Sequence, residues 1–234
     1  MESSNDKTGG IGDKINDFVQ KNRKQIFITL GVLVVLLAGT IVFFVIKDSM
    51  DKKAIAEVHE LTEKFDQLRL NGESDYFSSE MNSLLTETLE FAGKNRGFSG
   101  SKAWSIAGYI YSARENWTQA EEAWASSART GSKTYLAPIA YFQAAVCAEA
   151  QNKLEQAIDY FQQSISHSFE FPDAPRAQFN IGRLYEELGN NSAALAAYRA
   201  VLINWPWERS ETISQSLYIW QNLARNQIIK LEIQ

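Results

Sequence analysis

The sequence predicts an all-α protein: a single N-terminal transmembrane helix, then an α-solenoid of helical hairpins closed by a C-terminal capping helix. Three observations point to it. Ile26 to Ile46 is an uncharged run of 21 residues, interrupted only by Thr29 and Thr40 as hydroxyl side chains. The last half of the chain resembles itself at a spacing of 37 residues. The only four prolines stand at 138, 172, 175 and 206, near the edges of those repeating blocks, so the rest of the chain is free to form long helices.

Composition narrows the function. With 234 residues, 45% hydrophobic and 22% charged, the chain has material for a buried core. Its 23 basic against 28 acidic side chains leave a net charge of −5, the wrong sign for tracking a nucleic-acid backbone. One cysteine, Cys147, and two histidines, His59 and His167, supply neither a disulfide framework nor the ligands of a zinc site. No phosphate-binding, dinucleotide, metal-helix or nucleophile-elbow motif occurs, so neither a cofactor nor catalysis is expected. Cys147 is read as a buried, inert thiol, and the pairs Glu121-Glu122 and Glu186-Glu187 as solvated helix faces.

Residues 1–25 are read as a short cytoplasmic tail and 26–46 as the anchor. At about 1.5 Å per residue the run spans roughly 31 Å, against about 30 Å of bilayer hydrocarbon. A cleaved signal peptide has a shorter apolar core, and Lys47-Asp48-Ser49-Met50-Asp51 offers no small-residue cleavage site. Lys14, Lys21, Arg23 and Lys24 precede the run; Lys47, Lys52 and Lys53 follow it. The excess is a single charge, but the cluster at 21–24 abuts the apolar start and favours a cytoplasmic N-terminus, with everything after residue 47 across the membrane.

Residues 47–96 read as a helical hairpin or degenerate repeat: Asp51 to Leu70 and Tyr76 to Lys94, joined by Asn71-Gly72-Glu73-Ser74. The glycines of Gly93 to Ser101 suggest a flexible joint. Blocks then begin at Ser101, Pro138 and Pro175 and fill residues 101–207. Position 3 is alanine each time (Ala103, Ala140, Ala177), position 8 is tiny (Gly108, Ala145, Gly182), position 20 is alanine (Ala120, Ala157, Ala194), and position 24 is aromatic (Trp124, Phe161, Tyr198). Positions 4, 7, 8 and 11 share one face of a first helix, and 20, 24 and 27 one face of a second. Small residues at 8 and 20 allow close approach, and the aromatics fill the space beside it. Residues 208–234 form a last helix without a partner, as expected of a cap.

This pattern resembles the tetratricopeptide repeat, a helix-turn-helix unit with the signature W-x2-L-G-x2-Y followed by Gly, Ala, an aromatic and Pro. The third block matches at Ile181, Gly182, Tyr185, Gly189, Ala194, Tyr198 and Pro206, and the first at Trp104, Gly108, Tyr111, Ala120 and Trp124. Each block is three residues longer than the family norm, which places extra loop in GSKTYLAP and HSFEFPDAP. The resemblance implies a protein-binding groove lined by positions 2, 5, 9, 12 and 13 of the first helices. The groove residues so implied are Tyr109, Phe142, Val146, Arg176, Phe179, Arg183 and Glu186, with Phe142 and Phe179 as exposed anchors unless the C-terminal helix covers them. The lysine and asparagine with which some family members clamp a C-terminal carboxylate are replaced at positions 5 and 9, which disfavours a cytosolic co-chaperone.

The layout of tail, anchor, hairpin and repeats also resembles the bacterial ancillary translocon subunits. That resemblance implies a single-pass protein of the bacterial inner membrane, its N-terminus in the cytoplasm and its repeats in the periplasm. It would act as an adaptor or scaffold beside the protein-export channel or periplasmic chaperones, with no nucleic acid and no metal. The alternative is an envelope scaffold for cell-wall synthesis or outer-membrane protein insertion.

Overall fold

The computed structural model describes residues 11–70, 76–168, 171–206 and 215–233, and every regular element among them is a helix. The chain divides into two units, residues 1–53 and 54–234. Helix α1 (Ile11–Leu70) contributes to both.

In the first unit, one helix is long and apolar enough to cross a membrane, and none of its apolar stretch is buried. Phe27, Val35 and Phe44 are each more than three-fifths exposed.

In the second unit the helices pack as consecutive pairs. After the last turns of α1 come α2 (Ser79–Lys94), α3 (Gly97–Ala113) with α4 (Trp117–Thr130), α5 (Leu136–Ala150) with α6 (Leu154–His167), α7 (Ala174–Glu187) with α8 (Asn191–Asn204), and α9 (Gln215–Ile233). Each second helix also contacts the first helix of the next pair: α2 with α3, α4 with α5, α6 with α7 and α8 with α9. The 37-residue spacing is therefore one hairpin, and the added length lies between hairpins, at 131–135 and 168–173. The residues expected to form the turn at 71–74 lie outside the described residues, as do 207–214 at the start of the expected cap.

The small residue at position 8 follows from one contact. A Cβ on Gly108 would stand 2.7 Å from the Trp124 ring, and one on Gly182 2.5 Å from Tyr198. Trp124, Phe161 and Tyr198 are all essentially buried. In the first and third blocks the second helix thus drives an aromatic ring against the bare backbone of its own first helix, and in the middle block Ala145 adds only a methyl group. Gly189, just beyond α7, has φ +73°, the left-handed value at which a helix turns back most readily with glycine.

Position 27 adds a contact that the apolar pattern does not reveal. The Ser127 hydroxyl donates to the Ser101 carbonyl at 2.8 Å, and that of Ser164 to the Pro138 carbonyl at 2.9 Å. A backbone oxygen at the start of the first helix is satisfied by the end of the second. In the third block the position holds Val201, fully buried.

Two expectations are corrected here. Residues 93–101 are not a flexible joint: α3 already begins at Gly97, whose φ is +64°, and Gly100 and Ser101 are buried. A Cβ on Gly100 would lie 2.3 Å from the Asn95 carbonyl oxygen, so the glycines serve a tight helix-to-helix turn rather than mobility. Glu121 is not a solvated face. It is only 6% exposed and accepts hydrogen bonds from Lys153 and Gln151, both at 2.8 Å, which tie α4 to the start of α6.

Candidate protein-binding wall

The first helices α3, α5 and α7 carry the residues expected to face a partner, and the structure sorts them by position. Position 5 is buried in every block. Ser105 bonds to Ser127 at 2.9 Å and to the Ser101 carbonyl at 3.0 Å. Phe142 is 4% exposed, its ring 5.1 Å from Phe161 and 6.2 Å from Phe171. Phe179 is 8% exposed, between Tyr198 at 5.2 Å and Trp220 of α9 at 5.4 Å. The two phenylalanines are therefore core residues and not exposed anchors. Position 5 faces the seam where the next element arrives: the segment leading into α7 covers Phe142, and α9 covers Phe179.

Position 9, one turn further on, is open. Tyr109 is 46% and Val146 37% exposed. The Tyr109 ring is held in place, edge-on to Trp124 at 4.7 Å and stacked on Phe65 at 6.2 Å. Arg183, the third residue of the row, is engaged: its guanidinium meets Glu149 at 2.6 Å and Glu187 at 3.7 Å.

Position 12 has a structural task of its own. In the first block the Trp124 indole N–H donates to Ser112 at 3.1 Å, and in the third the Tyr198 hydroxyl donates to Glu186 at 2.7 Å. Each polar residue at position 12 receives the polar tip of the buried aromatic at position 24. Phe161 has no such tip, which leaves Glu149 free to reach across to Arg183. Glu186 also takes an ion pair from Lys230 of α9 at 2.9 Å. Burial alone would raise its pKa, but the bonds from Tyr198 and Lys230 outweigh burial and hold it below its ordinary value. Tyr198 is correspondingly pushed up, by burial and then by the Glu186 carboxylate. Glu186 thus fastens the cap rather than standing free on the wall.

Position 2 supplies cations at both ends. Arg176 is exposed, its guanidinium over the Phe142 ring of α5 at 4.9 Å and the Trp220 ring of α9 at 5.7 Å. Lys102 is partly buried on α3 and has no carboxylate partner among the described residues. Cys147 is buried, with burial pushing its thiol up to about 11, so it holds a proton and is a poor nucleophile.

Comparison with known proteins agrees with this geometry. The family model for the tetratricopeptide repeat matches residues 107–168 and 165–206. Residues 107–206 carry tetratricopeptide repeats. Repeats of this kind are protein-interaction scaffolds, typically without catalysis. A TPR repeat-containing protein of Treponema pallidum (strain Nichols) is 28% identical over 211 residues, covering 82% of this chain and 87% of its own. In fold, the chain is similar to the crystal structure of Podosopora anserina putative kinesin light chain nearly identical TPR-like repeats. That match has a TM-score of 0.52 at 12% identity, over 75% of this chain and 85% of that one.

Proposed function

We propose that this chain is a membrane-anchored adaptor that holds a segment of a partner protein along the wall of α3, α5 and α7. The carrying observation is the contrast within those helices: position 5 is committed to the core in every block, whereas at position 9 the large apolar side chains of Tyr109 and Val146 stand open. Tyr109 is a rigid aromatic contact, since its ring is already fixed by two neighbours, and rigid aromatics lose little entropy on binding. Arg176, at the α9 end, gives the partner segment a direction.

The uncovered apolar helix at Phe27 and beyond supports the anchor, with the repeats on the far side of the bacterial inner membrane and the tail in the cytoplasm. On this reading the partner belongs to the protein-export channel or to its periplasmic chaperones. Co-purification from detergent tests it: channel or chaperone subunits should accompany the full chain and be lost from a Tyr109→Ala/Val146→Ser double variant. Recovery of wall-synthesis or outer-membrane insertion proteins in their place would reassign the complex. Topology has its own test, because protease added to spheroplasts should digest the repeats and spare the tail.

A further inference from the structure

Between the last turns of α1 and helix α3 lies a cleft of about 180 Å³, lined in part by Phe65, Asp66, Arg69, Lys102 and Tyr109. All of its lining except Tyr109 precedes the residues matched by the repeat family, so it belongs to the junction between the degenerate hairpin and the first repeat. Most of its polar groups are already engaged. Arg69 pairs with Asp66 at 3.2 Å, the Thr62 hydroxyl donates to the Val58 carbonyl at 2.7 Å, and Ser105 is tied to Ser101 and Ser127. Besides the further N–H groups of Arg69, two polar groups remain wholly without a partner among the described residues, the Lys102 ammonium and the Tyr109 hydroxyl.

We infer that this cleft receives a carboxylate side chain of the partner segment, with Lys102 as its counter-ion and the Tyr109 hydroxyl as its hydrogen-bond donor. The cleft has room for a side chain. Its charges sum to a single positive one, since Asp66 cancels Arg69. A monoanion is balanced there, whereas a phosphate dianion would leave excess charge beside Asp66, and an amine would face Lys102 directly. The Phe65 and Tyr109 rings flank the position and favour an apolar residue next to the acidic one in the partner. The inference rests on the proposal that a protein segment lies along this wall, and it specifies that segment: acidic beside apolar, with the acidic residue at the α1 end.

The test is selection from a random peptide display library on the full chain in nanodiscs, followed by affinity measurement on the selected peptides. Wild type should enrich peptides with Asp or Glu beside an apolar residue. Those peptides should bind Lys102→Gln about fivefold more weakly, which is ~1 kcal/mol at 1.4 kcal/mol per decade. Selection on Lys102→Glu should replace the acidic preference with a basic one, and Tyr109→Phe should weaken binding while leaving the melting temperature unchanged. An acidic preference that survives the charge reversal overturns the assignment, as does stronger binding of phosphoserine peptides than of their glutamate twins. Peptides that lose affinity with Val146→Ser but not with Lys102→Gln overturn the cleft and leave the wall standing. If no peptide is retained, the wall and the cleft fail together.

Discussion

Positions 5 and 9 of the first helices lie one turn apart on the same side and have opposite fates. Ser105, Phe142 and Phe179 are buried, while Tyr109 and Val146 are open. Nothing in the periodicity of α3, α5 or α7 separates the two rows, because both touch their own second helix: Phe142 meets Phe161, Phe179 meets Tyr198 and Tyr109 meets Trp124. What separates them is the following element. Phe171, in the segment entering α7, meets Phe142, and Trp220 of α9 meets Phe179, whereas Val146 is left open. For Phe142 and Phe179 burial is thus completed by the element that follows their own hairpin, as expected where each repeat packs on its neighbour.

The largest effect expected from this contrast is on the buried row. Phe142→Ala should destabilise the chain in detergent by about 3–5 kcal/mol in chemical denaturation, the usual cost of emptying a buried phenylalanine site. A loss under about 1 kcal/mol would show that Phe142 lies on the surface. Next comes the close approach that fixes the hairpins. Gly182→Ala, with its new Cβ 2.5 Å from the Tyr198 ring, should cost about 1–3 kcal/mol by overpacking. The same denaturation curves would read it.

A smaller effect belongs to the cap that covers Phe179. The Glu186 pKa is held below its ordinary 4.5, so its ionised form favours the folded state. That contribution is complete above pH ~4.5 and is lost as pH falls through the depressed value. Hydrogen-exchange protection factors along α9, corrected for the intrinsic pH dependence of exchange, should therefore fall on acidification while those of α5 hold. Glu186→Gln should already exchange faster at neutral pH and lose most of the acid dependence. The smallest effect on stability is at the open row: Val146→Ser should leave the melting temperature within a few degrees of wild type and yet weaken partner capture.

Much of this architecture is legible in the sequence. The tiny residue at position 8 and the aromatic at position 24 recur in all three blocks because each pair is a single contact, and a contact that repeats leaves a spacing. The pairing of Ser112 with Trp124 and of Glu186 with Tyr198 is harder to see, since it joins different residue types and vanishes where Phe161 has no polar tip. Even so, the identity of position 24 is the signal that could have found it. The burial of Phe142 and Phe179 is not encoded in their own helices. Besides the position-24 rings of Phe161 and Tyr198, it depends on Phe171 in a connecting loop and on Trp220 in the cap, neither of which carries a repeat position. The glycines at the start of α3 are ambiguous for a related reason: glycine marks both mobility and close backbone approach, and only the Asn95 carbonyl beside Gly100 distinguishes them.

The central claim is that the partner touches position 9 and not position 5. Photo-crosslinking of the full chain in native membranes, with the reactive residue placed in turn at 109, 142 and 146, tests it directly. Adducts to a single partner from 109 and 146, with none from 142, are the predicted result. Adducts from 142 without any from 146 would contradict it.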